Sequence, residues 1–154
     1  MEAEINDRIE KQIVLKASPE RVWRAVSDAR EFGAWFGVDF LGQPFVPGVA
    51  LIGKLTDPPE YAGMDFNIDV AAIVPPRLIS FRWHPFAGDP DYDYSGEPMT
   101  LIEFVLRPEG GGTLLTVTES GFAAIPTDRR SAAFDMNSEG WQQQLERIAK
   151  YVDG

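Results

Sequence analysis

The C-terminal stretch, residues 128–152, constrains the fold more strongly than any other part of the sequence. Its apolar residues recur with the spacing of one stripe along an α-helix, while charged and amide residues fill the other faces. The stripe consists of Phe134, Trp141, Leu145, Ile148 and Val152. A helix of this length is roughly 37 Å long and can cross a small domain. The preceding residues must therefore provide a surface that covers one side of this helix.

The middle of the stripe lacks bulky residues. Asn137, Ser138 and Gly140 stand where a packed core would hold large side chains, and a glycine inside a helix costs about 1 kcal/mol. One interpretation is a cavity beside Asn137, Ser138 and Trp141. The other is a kink or a close backbone approach at Gly140. The sequence leaves both interpretations open.

The residues before this helix predict a sheet with two short helices after its first strand. Apolar residues alternate with charged ones over residues 8–17, which is typical of a half-buried strand. Ser18 and Pro19 then supply a helix N-cap and a proline at the first helical position. A second short helix is predicted from Asp28 to about Trp35. After Gly37 the pattern changes to strands separated by turns.

No helical period separates the strands after residue 49, so neighbouring strands should be antiparallel. The predicted fold is therefore of the α+β class: a curved antiparallel β-sheet wrapped around a long C-terminal α-helix, with two short helices after the first strand. The 154 residues fall in the size range of one domain, so residues 1–154 are interpreted as a single unit.

The composition excludes several functional classes. A formal charge of -10 opposes binding to nucleic acid and to anionic membranes. The absence of cysteine and the presence of a single histidine exclude thiolate chemistry and leave no Cys/His metal site. No phosphate-binding loop, catalytic triad or paired-carboxylate motif can be assembled, so no cofactor is expected. The lack of a long apolar run and of signal-peptide features predicts a cytoplasmic protein without membrane insertion.

Several segments, in their order and spacing, resemble the helix-grip superfamily of START and Bet v 1-like domains. The segments are residues 17–25, 35–36, 75–83, 111–122 and 140–145. Within that superfamily the chain is similar to the branch named for the C-terminal domain of activator of Hsp90 ATPase. The resemblance implies a deep cavity between the sheet and the C-terminal helix, which such proteins commonly use for apolar or aromatic small molecules.

Glu119 is the most informative polar residue, because it shares the inward parity of its strand with Leu115 and Val117. A buried carboxylate must be paired or protonated. Glu119 therefore either orients the polar end of a ligand or forms structural hydrogen bonds, for example to Asn137. His84 has the outward parity of its strand and is interpreted as a strand-end residue.

The predicted ligand-binding residues are the large apolar side chains expected between sheet and helix, together with the polar residues near them. They are Trp35, Phe36, Phe66, Ile68, Phe81, Trp83, Ile102, Phe104, Val117, Glu119, Phe122, Phe134, Asn137, Ser138 and Trp141. Most of them are aromatic, which indicates binding of a small molecule more than catalysis. No catalytic residue and no metal ligand are assigned.

Three functions follow from these observations. The first is a binding protein for an apolar or aromatic small molecule, present as a monomer or a homodimer. The second is a cyclase- or hydrolase-type enzyme that uses the same cavity with Glu119, His84 or Tyr61 for proton transfer. The third is an Hsp90-type co-chaperone or protein-interaction domain, which predicts an exposed apolar patch near Trp35 and Phe36.

The turn-rich segment 85–98 is a candidate lid over the cavity. It carries Phe86, Tyr92 and Tyr94, whose apolar rings are unusual in a purely solvated loop. One interpretation closes this segment over Trp35 and Phe36, with hinges at positions 88 and 96. The other interpretation is an ordinary surface loop.

Overall fold

The computed structural model describes residues 7–85 and 91–154, and within them seven strands form one antiparallel sheet in the order β1-β7-β6-β5-β4-β3-β2. The strands are β1 Arg8–Leu15, β2 Val38–Asp39, β3 Ala50–Leu55, β4 Asp65–Val74, β5 Leu78–Trp83, β6 Thr100–Glu109 and β7 Gly112–Ser120. The α-helices are α1 Pro19–Ser27, α2 Ala29–Phe36 and α3 Thr127–Asp153. Short 3-10 helices span Pro59–Tyr61, Tyr94–Gly96 and Phe122–Ala124. The predicted α+β architecture is confirmed.

The two short helices begin where the sequence predicts, because each has a side chain that caps it. Ser18 accepts a hydrogen bond from the backbone N–H of Arg21, and Pro19 occupies the first turn of α1. Asp28 accepts hydrogen bonds from two backbone N–H groups at the start of α2. Gly37 ends α2 in the left-handed conformation, at φ 99°.

A glycine inside α2 permits the close approach of this helix to β2. A Cβ atom added at Gly33 would lie 2.0 Å from the backbone oxygen of Val38. Only a residue without a side chain fits at this distance. Gly33 therefore allows α2, and the aromatic residues it carries, to lie directly against the sheet edge.

Strand β4 contains a β-bulge that the alternating sequence pattern conceals. Val70 pairs with Phe81 and Ala72 with Ser80, so Ala71 is the extra residue. After the bulge, the residues of β4 that face the core are those that the simple alternation would place on the opposite face. Ile73 packs against the core, whereas Val74, which follows the inward parity of Ile68 and Val70 in the sequence, is exposed.

Helix α3 is one continuous element that packs its stripe on the sheet. Ala133, Trp141, Leu145 and Ile148 are buried. At its C-terminal end, Asp153 accepts hydrogen bonds from the backbone N–H groups of residues 16 and 17, which ties α3 to the junction of β1 and α1. In the described part of the chain, no helix is both long and apolar enough to cross a membrane.

Gly140 does not serve a close backbone approach. A Cβ atom added there would have no heavy atom of another described element within 4 Å. The interpretation of Gly140 as a close backbone approach is therefore wrong, and α3 has open space beside this residue.

Candidate functional site

The centre of the molecule contains an aromatic chamber, which we define as the space between the sheet and α3. Its lining consists of Phe32, Phe66, Ile68, Phe81, Trp83, Ile102, Phe104 and Trp141. Seven of these eight residues belong to the predicted site. The chamber volume is about 10 Å³, which is enough for roughly one water molecule.

The rings of the chamber wall pack on one another and account for this small volume. Trp83 and Trp141 are stacked, with centroids 5.6 Å apart and planes at 21°. Phe36 lies 6.1 Å from each of these indoles and 5.4 Å from Phe66. Offset and tilted aromatic pairs at such distances each contribute about 1 kcal/mol beyond their burial. The chamber is therefore closed by ring-to-ring contacts.

Glu119 lies behind the two stacked indoles and is fully inaccessible, at 0% exposure. Its Oε2 accepts hydrogen bonds from Nε1 of Trp83 at 2.7 Å and from Oγ1 of Thr100 at 2.5 Å. Its Oε1 accepts one from Nε1 of Trp141 at 2.8 Å. The amide nitrogen of Asn137 donates to both oxygens, at 3.0 and 3.1 Å. Strands β5, β6 and β7 and helix α3 thus meet at one carboxylate.

All four of these donor groups are neutral. Within residues 7–85 and 91–154, no lysine, arginine or histidine forms an ion pair with Glu119. The hydrogen bonds offset part of the cost of burying a carboxylate, but no opposite charge balances it. Four donor groups also use the roughly four lone-pair positions of a carboxylate. In this arrangement Glu119 has no free position from which to accept a substrate proton.

The remaining predicted residues lie around the chamber but do not line it. Trp35 is buried and donates its indole N–H to the backbone oxygen of Ala25 at 2.9 Å. Phe122 and Phe134 pack edge-to-face, with centroids 5.3 Å apart. Val117 is buried in β7. Ser138 is half-buried on α3, beside Asn137.

Two residues of the site were missed by the sequence analysis. Phe32 lines the chamber from α2. Thr100 donates to Glu119 from β6. Thr100 could have been found, because it has the same strand parity as Ile102 and Phe104, which were predicted to face inward. Phe32 could have been found too, because it clusters with Trp35 and Phe36 at the end of the second predicted helix, and such a cluster indicates packing on the sheet or at a pocket mouth.

The predicted exposed patch near Trp35 and Phe36 is wrong. These side chains are only 3% and 8% exposed. Phe32 packs against both rings, and Phe36 also reaches the chamber wall. The two aromatic residues belong to the core and offer no surface to a protein partner.

Segment 91–98 is fastened to the start of α3 by an ion pair, and none of its described contacts reaches Trp35 or Phe36. The guanidinium of Arg129 donates to Glu97 at 2.8 Å and to the backbone oxygen of Pro85 at 2.9 Å, and lies 4.9 Å from the ring centre of Tyr94. The hydroxyl of Tyr92 also donates to Glu97, at 2.8 Å.

The same contacts affect titration at this end of the molecule. The hydrogen bond from Arg129 lowers the pKa of Glu97. The hydrogen bond to Glu97 raises the pKa of Tyr92.

Of the predicted lid, Phe86 and the hinge at position 88 lie outside the described residues. The imidazole Nδ1 of His84 is buried and has no hydrogen-bond partner in the part of the chain that the structure describes.

A second depression, an open groove of about 820 Å³, runs between α2 and the segment that follows β2. Its lining is mixed, with Asp28, Arg30 and Gln43 beside Phe40 and Phe45. It lies on the outer side of α2 and does not include Glu119. The groove and the aromatic chamber are therefore separate features.

Comparisons with known proteins agree with this fold. The family model for activator of Hsp90 ATPase homolog 1-like protein matches residues 16–153. DynU16, from the dynemicin biosynthetic locus, is 24% identical with a TM-score of 0.70 over 96% of this chain, and this chain spans 47% of DynU16. No curated protein is significantly similar in sequence.

Two further solved structures cover most of both chains. The solution structure of an Arthrobacter aurescens protein is 19% identical, with a TM-score of 0.75 over 98% of this chain and 88% of that one. The Aha1 dimer from Colwellia psychrerythraea is 18% identical, with a TM-score of 0.65 over 94% and 95%. At such identities the likeness establishes the fold, and the oligomeric state of this chain stays a prediction.

Proposed function

We propose that this chain, which belongs to the activator of Hsp90 ATPase homolog 1-like family, binds an apolar or aromatic small molecule between its sheet and α3. The observation that carries the proposal is the buried carboxylate of Glu119, held by two tryptophans that line the aromatic chamber. Apolar walls with a few polar groups at defined positions are the usual composition of a small-molecule site. The ligand would place its apolar surface against the rings and a polar group toward Glu119.

Binding requires the chamber to expand. Its volume of about 10 Å³ is far below the roughly 300–1,000 Å³ of ligand pockets. Phe32 and Phe36 both come from α2 and cover the rings that the sheet and α3 contribute. Since β2, which follows α2, is only two residues long, a shift of α2 disturbs few sheet hydrogen bonds. We propose that α2 moves when ligand enters.

The test is a binding screen with lipids, isoprenoids and aromatic polyketide-like molecules. Two of the four tryptophans line the chamber, so a bound ligand should quench tryptophan fluorescence. It should also raise the melting temperature, because a ligand that binds only the folded state stabilises it. Neither quenching nor stabilisation across the library would contradict the proposal.

A pair of matched substitutions locates the binding site. Ile68→Phe adds bulk at a buried position of the chamber lining and should weaken binding at least about tenfold, because overpacked interiors accommodate added volume poorly. Ile52→Phe makes the same change on neighbouring strand β3, where the side chain is 53% exposed. Its affinity should equal that of the unmodified protein. Equal affinities in both variants would place the ligand outside the chamber.

A further inference from the structure

The hydrogen-bond partners of Glu119 indicate which ligand chemistry the site favours. A buried carboxylate is stabilised most by a cation that also hydrogen-bonds to it. Glu119 has only neutral donors, from two indoles, one hydroxyl and one amide. An ionised Glu119 carboxylate would therefore have no cationic partner among the described residues, and the cation would have to come from a ligand.

Asn137 occupies the position that a cationic group would take. Its amide nitrogen lies between the two carboxylate oxygens, at 3.0 and 3.1 Å. Asn137 is half-buried, whereas Thr100 and Trp141 are buried. On the same helix face, one turn further along, there is open space beside Gly140. A rotation of the Asn137 side chain toward this space would free the carboxylate.

The two stacked indoles favour a cation for a second reason. Trp83 and Trp141 each donate their N–H to Glu119 and present a ring to the chamber. Donation to an anion polarises the indole and makes its ring face more negative. Ring faces of this kind attract ammonium groups. Glu119 therefore influences the chamber wall through both tryptophans.

The net charge of the whole molecule also favours a cationic ligand. The formal net charge of -10 attracts cations and repels anions over the surface. A ligand with a carboxylate would in addition meet the like charge of Glu119 in a region of low dielectric, where repulsion is strong. Fatty acids and aromatic acids are accordingly disfavoured as ligands.

We infer that the ligand carries a basic nitrogen, and that its protonated amine replaces the Asn137 amide at Glu119 while its apolar part lies in the aromatic chamber. This inference rests on the proposed function, because it assigns the chemistry of the same site. It divides apolar molecules into amines, which bind, and acids, which do not.

The experiment compares three ligands of nearly equal size that differ in charge. They are 1-naphthylmethylamine, which is protonated at neutral pH, the neutral 1-ethylnaphthalene and the anionic 1-naphthylacetate. Isothermal titration calorimetry on the unmodified protein should give an affinity for the amine at least about tenfold above that for the neutral compound. The acid should not bind measurably.

A variant of the displaced residue sharpens the test. In Asn137→Ala no side-chain amide competes for the carboxylate, so the affinity for the amine should rise about tenfold while that for 1-ethylnaphthalene stays the same. The matched control is Gln143→Ala, an exposed position on the same helix, which should change neither affinity. Should Asn137→Ala fail to fold, the three-ligand comparison on the unmodified protein still decides.

The outcomes separate this inference from the proposed function. If 1-ethylnaphthalene or the acid binds as tightly as the amine, the inference that the ligand carries a basic nitrogen is overturned, and the proposed binding function stands. If none of the three binds up to its solubility limit, both the inference and the chamber as a binding site for bicyclic aromatic molecules are overturned. If the ratio of the affinities for the amine and for 1-ethylnaphthalene is the same in Asn137→Ala as in the unmodified protein, the nitrogen does not replace the Asn137 amide at Glu119.

Discussion

Glu97 and Glu119 are both shielded from solvent and both bind α3, but their charges are balanced in different ways. The side chain of Glu97 is 6% exposed and forms a multiple hydrogen-bonded ion pair with Arg129. Glu119 is 0% exposed, and all of its donors among the described residues are neutral. In the ion pair, the charge of Glu97 is neutralised by Arg129, and the contact attaches segment 91–98 to α3. The Glu119 carboxylate has no cationic partner among the described residues, so a cationic ligand can complete the pair that Arg129 completes for Glu97.

The largest expected effect is the loss of the Glu119 carboxylate. Glu119→Ala leaves two indole N–H groups, a hydroxyl and an amide without their acceptor in the interior, so unfolding free energy should fall by at least about 4 kcal/mol. Urea denaturation measures the change. The control Glu109→Ala, at an exposed strand end, should stay within about 0.5 kcal/mol. A loss below about 1 kcal/mol would contradict the structural role of Glu119.

The ion pair of Glu97 with Arg129 should contribute less to the free energy of unfolding than Glu119 does, and its contribution should depend on pH. Glu97→Gln should cost about 2 kcal/mol at pH 7, because a charge-assisted hydrogen bond to Arg129 is lost. Since Arg129 lowers the pKa of Glu97 in the folded state, this stabilisation is fully present above the ordinary glutamate pKa of about 4.3. It is lost as pH falls through the lower folded-state value.

The measurement for Glu97 is a series of urea denaturation curves for the unmodified protein and Glu97→Gln between neutral and acidic pH. The two proteins should converge in stability in the acidic range. Glu10→Gln, in an ion pair with both side chains more than half exposed, serves as the control and should show no such difference. A gap between the first two proteins that persists at every pH would show that Arg129 does not stabilise the carboxylate.

A smaller effect distinguishes a hydrogen bond to a charge from one to a neutral group. Trp141→Phe removes an indole N–H that donates to Glu119, and Trp35→Phe removes one that donates to the backbone oxygen of Ala25. Both changes delete the same ring atoms from buried positions. Trp141→Phe should therefore cost about 1 kcal/mol more, by thermal or urea denaturation. Equal costs would mean that Glu119 is effectively uncharged at this contact.

The smallest effect concerns the open space beside Asn137. Gly140→Ala should stabilise the protein by about 0.8 kcal/mol, because alanine is favoured over glycine in a helix and the added methyl group has no neighbour within 4 Å. Differential scanning calorimetry should show a slightly higher melting temperature. A lower one would mean that the space beside Asn137 is needed by another part of the molecule.

The sequence predicts the fold well because its signals are local. The cap at Ser18, the second helix near Asp28, the alternating strands and the long C-terminal helix each depend on residues close together in the chain, and all are found. The inward position of Glu119 follows in the same way, from strand parity alone. Parity is reliable until a bulge interrupts it, as at Ala71, after which Ile73 and not Val74 faces the core.

The candidate site is less predictable because its properties depend on how distant elements meet. The sequence indicates aromatic residues between sheet and helix, but their mutual packing reduces the space to about 10 Å³. Phe32 joins them through the position of α2, and the described residues of segment 91–98 contact Arg129. Such contacts between segments far apart in sequence leave no periodic signal.

The placement of two Glu119 donors on α3 also affects how the protein is made. All seven strands precede α3 in the chain, so the sheet leaves the ribosome before Asn137 and Trp141 do. Until those residues emerge, Glu119 lacks two of its four donor groups, and Trp83 lacks the indole of Trp141 on which it stacks. Exposed surface of this kind is where nascent chains aggregate or recruit chaperones. We therefore expect variants that weaken the docking of α3 to lower the yield of folded protein in cells.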